Sequence, residues 1–539
     1  MDDLKELQKI IEGHRDSRKG QTLPLLSTEE RNTLLKQYHP DYRADAYRPV
    51  KIGPNAGEKT VHEVADLLEG QSPLWSASGG KETKLEPEYT VDVLVIGGGG
   101  AGCAAALTAR EQGAAVLLAT KLRVGDSNTV MAEGGVQAAI QPEDSPIRHY
   151  LDTMRGGHFK NDPQLLKVLV EEGPPAIKWL LDLGVLFDRD ETGLNLKVRG
   201  GGATSSPRLL TCRDYTGLEI MRVLKDALIN EDIQILEYAP TVELLSDPQG
   251  FCTGAVLKNF DTNRFIVVAA KTVILATGGS GRLHIQGFPT SNHFGATGDA
   301  LPLAYRLGAK LRFMDTFQYH PTGVSYPEPM AGILVTEGIR AAGAPLLNVK
   351  GDRFVNEMDT RDVVAAAIIR ECKEERGVRT PAGRIGVWLD IPMVDLVNGE
   401  GTLDKRFPNM MKQFSRYSID IRKEPVVIHP TLHYQNGGVQ IDVDGESTIR
   451  NLFVAGEASG GLHGRNRLMG NSLLDIIVFG KRAGSAAAQR AKLIPMGQLS
   501  LAHLQKLQGE FNKAGLVPQT ISPVLIPDYV RRETAVANK

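Results

Sequence analysis

Apolar residues in this chain gather in short runs that stop at glycine. Val91-Asp92-Val93-Leu94-Val95-Ile96 leads straight into Gly97, and an alanine-rich stretch through Leu107 follows, so the pattern predicts strand, tight turn and helix. A second run, Ala115 to Ala119, ends at Thr120 and Lys121. The same grammar returns at Val273-Ile274-Leu275-Ala276-Thr277-Gly278-Gly279 and at Leu452-Phe453-Val454-Ala455-Gly456-Glu457. Strands alternating with helices from Val91 to about Gly287 predict a mostly parallel sheet covered by helices. From about Ser291 to His429 this alternation breaks up into scattered His, Thr, Glu and Arg, with helices such as Asp362 to Arg376. That change reads as an inserted domain. Asn471-Ser472-Leu473 then opens a long alanine-rich helix running to about Lys492.

Gly97, Gly99 and Gly102 stand at G-x-G-x-x-G spacing between strand and helix, with Gly100 and Ala101 inside the motif. The first glycine permits the turn, the second lets backbone approach a pyrophosphate, and the third lets helix pack close to strand. The helix N-terminus offers free N–H groups to the phosphates. A nicotinamide site usually carries an acidic residue after the second strand, and Thr120 and Lys121 stand there instead. That departure argues against NAD and does not exclude FAD, and a second glycine-rich strand end at Ala276, Thr277 and Gly278 fits a ligand long enough to span the sheet, as FAD is. The expected fold class is α/β, a Rossmann-like FAD-binding domain with a mostly parallel sheet, interrupted by an inserted α+β capping domain. The expected boundaries are an N-terminal extension over 1–90, the FAD-binding domain over 91–288 and 431–495, the cap over 289–430, and a short polar tail over 496–539. The extension reads as a loosely packed docking arm without chemistry.

With 539 residues there is room for a large core, and at a formal net charge of −2 nothing draws the chain electrostatically to nucleic acid or an anionic membrane. No window is apolar enough to span a bilayer, and the start lacks a signal-peptide pattern, so the expected place is the cytoplasm. Cys103, Cys212, Cys252 and Cys372 are dispersed, with no C-x-x-C pair, so no metal site is expected. They read as reduced, mostly buried thiols.

The motifs taken together resemble the flavoprotein subunit of succinate dehydrogenase and fumarate reductase, and more broadly the L-aspartate oxidase group. The likeness rests on the glycine motif, Ala276-Thr277-Gly278-Gly279, His320-Pro321-Thr322-Gly323, Thr336-Glu337-Gly338-Ile339-Arg340, Thr360-Arg361-Asp362, His433-Tyr434, Gly456-Glu457-Ala458 and His463 to Leu468 followed by Asn471-Ser472-Leu473. It implies that His320 and Thr336 hold one carboxylate of a C4 dicarboxylate while His433 and Arg467 hold the other. Arg361 then donates a proton to the alkene, fed through Glu337 and Arg340, opposite the carbon that takes hydride from the flavin. An arginine acid needs neighbouring cations and desolvation to act so. The resemblance further assigns cofactor contacts to Thr120, Lys121, Ser127, Asn128, Thr129, Gly134, Gly135, Asp299, Glu457, Asn471, Ser472 and Leu473.

Three departures matter. Asn128 occupies the place of the histidine that bonds covalently to flavin in much of the family, so FAD is expected to be non-covalent and the bias toward fumarate reduction. Ala341-Ala342-Gly343 replace the usual Gly-Glu-Gly, and Gln435-Asn436 replace a methionine-containing pair. The segment after Lys492 is shorter than the family's C-terminal helical domain. An iron–sulfur subunit is the expected electron partner, carrying the chain peripherally to the membrane face. The alternatives are L-aspartate oxidase, a reductase of a related unsaturated acid, and a non-catalytic electron-transfer component of a larger complex.

Overall fold

A computed structural model describes residues 2–78 and 85–527; the ends of the expected tail (528–539) and part of the extension (79–84) lie outside it. The glycine-terminated runs are strands of one seven-stranded sheet. Its strands are β1 (Tyr89–Ile96), β2 (Val116–Ala119), β3 (Gln234–Leu236), β4 (Thr241–Ser246), β5 (Cys252–Lys258) and β6 (Phe265–Leu275). The seventh, Leu452–Val454, arrives late in the chain. β3, β2, β1 and β6 run parallel in that order. The first half of β6 pairs antiparallel with β5, and its last three residues pair parallel with Leu452–Val454. The strands are apolar on both faces because helices cover them.

Two helices of this domain, Gly100–Glu111 and Asn471–Leu493, touch through small residues. A Cβ on Gly484 would lie 2.3 Å from the carbonyl oxygen of Ala105, and one on Gly480 2.7 Å from that of Ala101. Alanine and glycine along both helices are thus the condition for their close approach.

Between β6 and Leu452–Val454 the chain builds a second, antiparallel sheet. Its strands are β7 (Phe317–Val324), β8 (Leu346–Leu347), β9 (Ile385–Leu389) and β10 (Val426–Gln435), ordered β7-β10-β9-β8. Val335, Ile339, Val363, Val364 and Ile428 fill its core.

The first ninety residues differ from expectation. Ile11 is fully buried beside Trp388 and Val427, Leu34 and Leu35 enter the cap core, and Val61, Val64 and Leu67 enter the main core. The extension is therefore a strap that packs on both domains; its helices are short, so their apolar stripes are faint in sequence. The tail likewise carries a helix, Ala502–Lys513, whose Leu507 and Phe511 pack on Ile52.

Candidate active site

The carboxyl ends of β1, β2 and β6 open into a cavity of about 640 Å³ between sheet and cap. Gly97–Ala101, Thr120, Lys121, Ser127, Asn128, Thr129, Ala276, Thr277, Gly278, Asp299, Glu457, Ser472 and Leu473 line it, together with His433 and Arg467. Gly97 has φ +120°, and a Cβ there would lie 2.2 Å from the Ala276 carbonyl oxygen. Gly102 stands behind the wall, where a Cβ would come within 1.8 Å of the Gly97 carbonyl oxygen. Both glycines are required by close backbone approach, and the helix N-terminus faces the space they open. A long, glycine-walled slot ending at a helix N-terminus fits FAD.

Polar residues frame this slot. Lys121 Nζ lies 2.6 Å from Asp299 Oδ2 and donates to Thr297 Oγ1 at 2.6 Å. Asn128 donates through Nδ2 to Asn292 Oδ1 and to Glu457 Oε2, both at 3.2 Å, and accepts the His293 N–H at 2.6 Å. Burial raises the Glu457 carboxyl above its ordinary range, against hydrogen bonds from Gln435 and Asn128.

Three of the residues assigned to the cofactor stand elsewhere. Gly135 packs against the Leu210 carbonyl, 2.4 Å from where its Cβ would be. Gly134, whose carbonyl accepts from Thr216 Oγ1, borders a separate cavity of about 40 Å³. Asn471 is buried between helices, its Oδ1 2.8 Å from His149 Nε2 and its Nδ2 donating to Thr153 Oγ1 at 3.0 Å. Thr336 also borders the small cavity and stands at the N-terminus of the short helix Glu337–Ala341.

Two irregularities in the β7–β10 pairing aim the histidines. Gln318 pairs with Tyr434 while Tyr319 pairs with Leu432, so His433 is the extra residue of a bulge. On the opposite strand, Pro321 and Thr322 face Pro430 alone, and the ladder bends beside His320. The His320 and His433 rings meet with centroids 5.0 Å apart. Thr322 N–H donates to His320 Nδ1 at 3.2 Å, which leaves the neutral ring's proton on Nε2, and Nε2 has no partner. Burial, then the charge of Arg361, holds both histidines well below their ordinary pKa, so both are neutral near pH 7.

The arginines are linked through one side chain that sequence reasoning missed. Gln318 Oε1 accepts from Arg361 Nη1 and Arg467 Nη2, each at 2.9 Å. Its parity with His320 on the same strand, two residues on, is the sequence signal that would have found it. Arg361 Nε donates to Glu337 Oε2 at 2.8 Å, and Arg340 Nη2 lies 3.3 Å from the same oxygen. Burial alone would raise the Glu337 carboxyl, but Arg361 and Arg340 bring it down to about 2. Arg467 stacks on Tyr434 with its guanidinium carbon 4.5 Å from the ring centre, and its Nε is unpartnered. Burial and then Arg361 lower its pKa to about 9. Arg340, Arg361 and Arg467 thus face two carboxyl groups, Glu337 and Glu457, while the nearby Glu357 is paired with Arg353 at 2.5 Å. The arginines outnumber the carboxyl groups, so positive charge is in surplus.

Comparison with known proteins agrees with this arrangement. Residues 92–473 match the FAD binding domain family. In Methanothermobacter marburgensis, the homologous polypeptide of the CoM/CoB fumarate reductase is 41% identical over 413 residues, 75% of this chain and 73% of that one. The chain belongs to the flavoprotein family of fumarate reductases and succinate dehydrogenases. It is an FAD-dependent oxidoreductase of that family. L-aspartate oxidase of Nostoc is a relative at 37% identity, covering 77% of this chain and 69% of the relative. Among solved structures, quinol fumarate reductase of E. coli superposes with a TM-score of 0.71 at 31% identity, covering 79% and 74% of the two chains. Members of this family are named as subunits of larger assemblies.

Away from the site, burial pushes the thiols of Cys103, Cys212, Cys252 and Cys372 up to about 12. Among the described residues no helix is long and apolar enough to cross a membrane.

Proposed function

We propose that this protein is the catalytic flavoprotein subunit of a fumarate reductase, reducing a C4 unsaturated dicarboxylate with a proton supplied by Arg361. The observation that carries this reading is the surplus of buried positive charge beside the flavin slot, which suits a dicarboxylate dianion. The unpartnered donors His320 Nε2 and Arg467 Nε supply directed hydrogen bonds for its two ends, with the His433 ring against that of His320. Thr336 stands where the helix that carries Glu337 and Arg340 begins.

Bound FAD supplies hydride chemistry at this site; Gly97–Ala101, Lys121, Thr277, Glu457 and Ser472 would hold it. Arg361 presents its guanidinium to the substrate carbon that must be protonated, and Gln318 fixes that guanidinium in place. Its proton is replaced from Glu337, which draws on Arg340.

Asn128 has no group that can bond to flavin carbon, so the cofactor is held non-covalently, and acid precipitation of the holoprotein releases it into the supernatant. The natural electron source is a partner iron–sulfur subunit, in keeping with the multi-subunit names of the relatives. The deciding test is anaerobic: the dithionite-reduced protein is mixed with fumarate, related unsaturated diacids or crotonate, and flavin reoxidation is followed. Fumarate is expected to reoxidise it, with Arg361→Ala slower by at least about a thousandfold while keeping FAD. Reoxidation by crotonate as fast as by fumarate, or hydrogen peroxide formation from L-aspartate and oxygen, overturns the reading.

A further inference from the structure

The relay carboxylate of Glu337 has a third partner that comes from outside the cap. Its Oε2 faces Arg361 and Arg340, whereas its Oε1 accepts the backbone N–H of Gly202 at 3.1 Å. Gly202 lies in the turn 200–206 of the first sheet domain, between that domain's Val198–Arg199 and Leu209–Leu210 strands. The turn meets the cap again where Ala203 N–H donates to the Met358 carbonyl at 3.1 Å.

On its own side this turn is firmly moored. Ser205 donates through N–H and Oγ to Asp152 Oδ2 at 2.8 and 2.7 Å. Asp152 is clamped by the buried Arg208, which also forks onto Asp144 at 2.7 and 2.9 Å. The glycine is needed for closeness: a Cβ at 202 would lie 2.9 Å from Glu337 Oε1. Its backbone is outside the left-handed region, so nothing but that approach forbids a side chain.

We propose that Gly202 is a positioning residue for proton delivery: its N–H, handed across the domain interface, orients the Glu337 carboxylate so that the relay is complete only while the cap is seated. One proton moves in each step. Glu337 takes it from Arg340 and passes it to Arg361 as Arg361 gives its own to the substrate carbon, and Arg340 regains one from water before the next turnover. An amide donor on Oε1 leaves Oε2 to serve both arginines, and without it the carboxylate is free to rotate out of line. Proton transfer is thereby tied to closure, since cap and sheet domain each contribute part of one hydrogen-bonded unit. The inference rests on the fumarate reductase reading, through the role given to Glu337.

The test is a double-mutant cycle on the FAD-loaded protein, using the diacid that reoxidises the wild type. Gly202→Ala is expected to lower kcat at least tenfold with KM within twofold and a larger solvent deuterium isotope effect. In a Glu337→Gln background the same change is expected to lower the residual rate no further, because a residue acting through Glu337 has nothing left to act on. Should Gly202→Ala fail to load flavin, Ser205→Ala, which removes one of the turn's two bonds to Asp152 without adding an atom, must show the same pattern at smaller amplitude. A kcat within twofold of wild type, or an equal loss in both backgrounds, overturns the inference while the fumarate reading stands. If the wild type is reoxidised by no diacid, the reading and this inference fall together.

Discussion

Replacing Gln318 by methionine isolates the link between the two substrate arginines. Methionine nearly preserves the side chain's volume and removes both its donor and its acceptor. Gln318 Oε1 accepts from Arg361 and Arg467 at 2.9 Å each, and its Nε2 donates to Asn466 Oδ1 at 2.9 Å and to the Arg467 carbonyl at 2.6 Å. A hydrogen bond to a charged group contributes about 1.5–3 kcal/mol. Losing the bond to Arg361 disturbs the proton donor, and losing the bond to Arg467 disturbs a carboxylate clamp. At about 1.4 kcal/mol per factor of ten, each loss is about tenfold at the lower end of that range. kcat is thus expected to fall and KM for fumarate to rise by about tenfold each, giving a loss in kcat/KM of about a hundredfold. Stopped-flow reoxidation of the reduced flavin over a range of fumarate concentrations separates the two constants. If Gln318→Met leaves both within twofold of wild type, the glutamine is a packing residue and holds neither arginine for catalysis.

Other consequences can be measured directly. Arg467, with its pKa brought to about 9, is charged at neutral pH and loses its proton as pH rises through that value. kcat/KM for fumarate is therefore expected to be level near pH 7–8 and to fall about tenfold per unit at higher pH; a level profile up to pH 10.5 removes Arg467 from substrate binding. Gly102→Ala forces a methyl toward the Gly97 carbonyl and is expected to reduce both flavin content per protein and thermal stability, checked by absorbance and calorimetry. Ile11→Ala empties a fully buried position against Trp388 and should cost about 2–5 kcal/mol in urea unfolding, where a loose extension would cost nothing.

The fold was legible where one local rule governed a segment. Apolar runs ending in glycine marked β1 and β6, because a buried parallel strand and a tight phosphate-binding turn both leave their print within a few residues. The strap escaped because four- to twelve-residue helices acquire their meaning only from the surfaces they cover. In the site, Arg361, Glu337 and Arg340 came together as their motifs implied. The bulge that turns out His433 is a mismatch between two strands more than a hundred residues apart and has no local signature. Gln318 and Gly202 were hidden for different reasons: the first needs the strand's parity, and the second acts through a backbone atom that every residue but proline possesses.

The split pairing of β6 bears on how this molecule assembles. Its last residues bond to Leu452–Val454, so Leu275 and Val454 are neighbours although the whole cap lies between them in sequence. Closing so large a loop costs chain entropy that a three-residue ladder cannot offset alone. The edge strand can settle only after the intervening polypeptide has collapsed into a compact body that brings its own ends together. Folding should therefore proceed outside-in, with the nucleotide-binding sheet completed last.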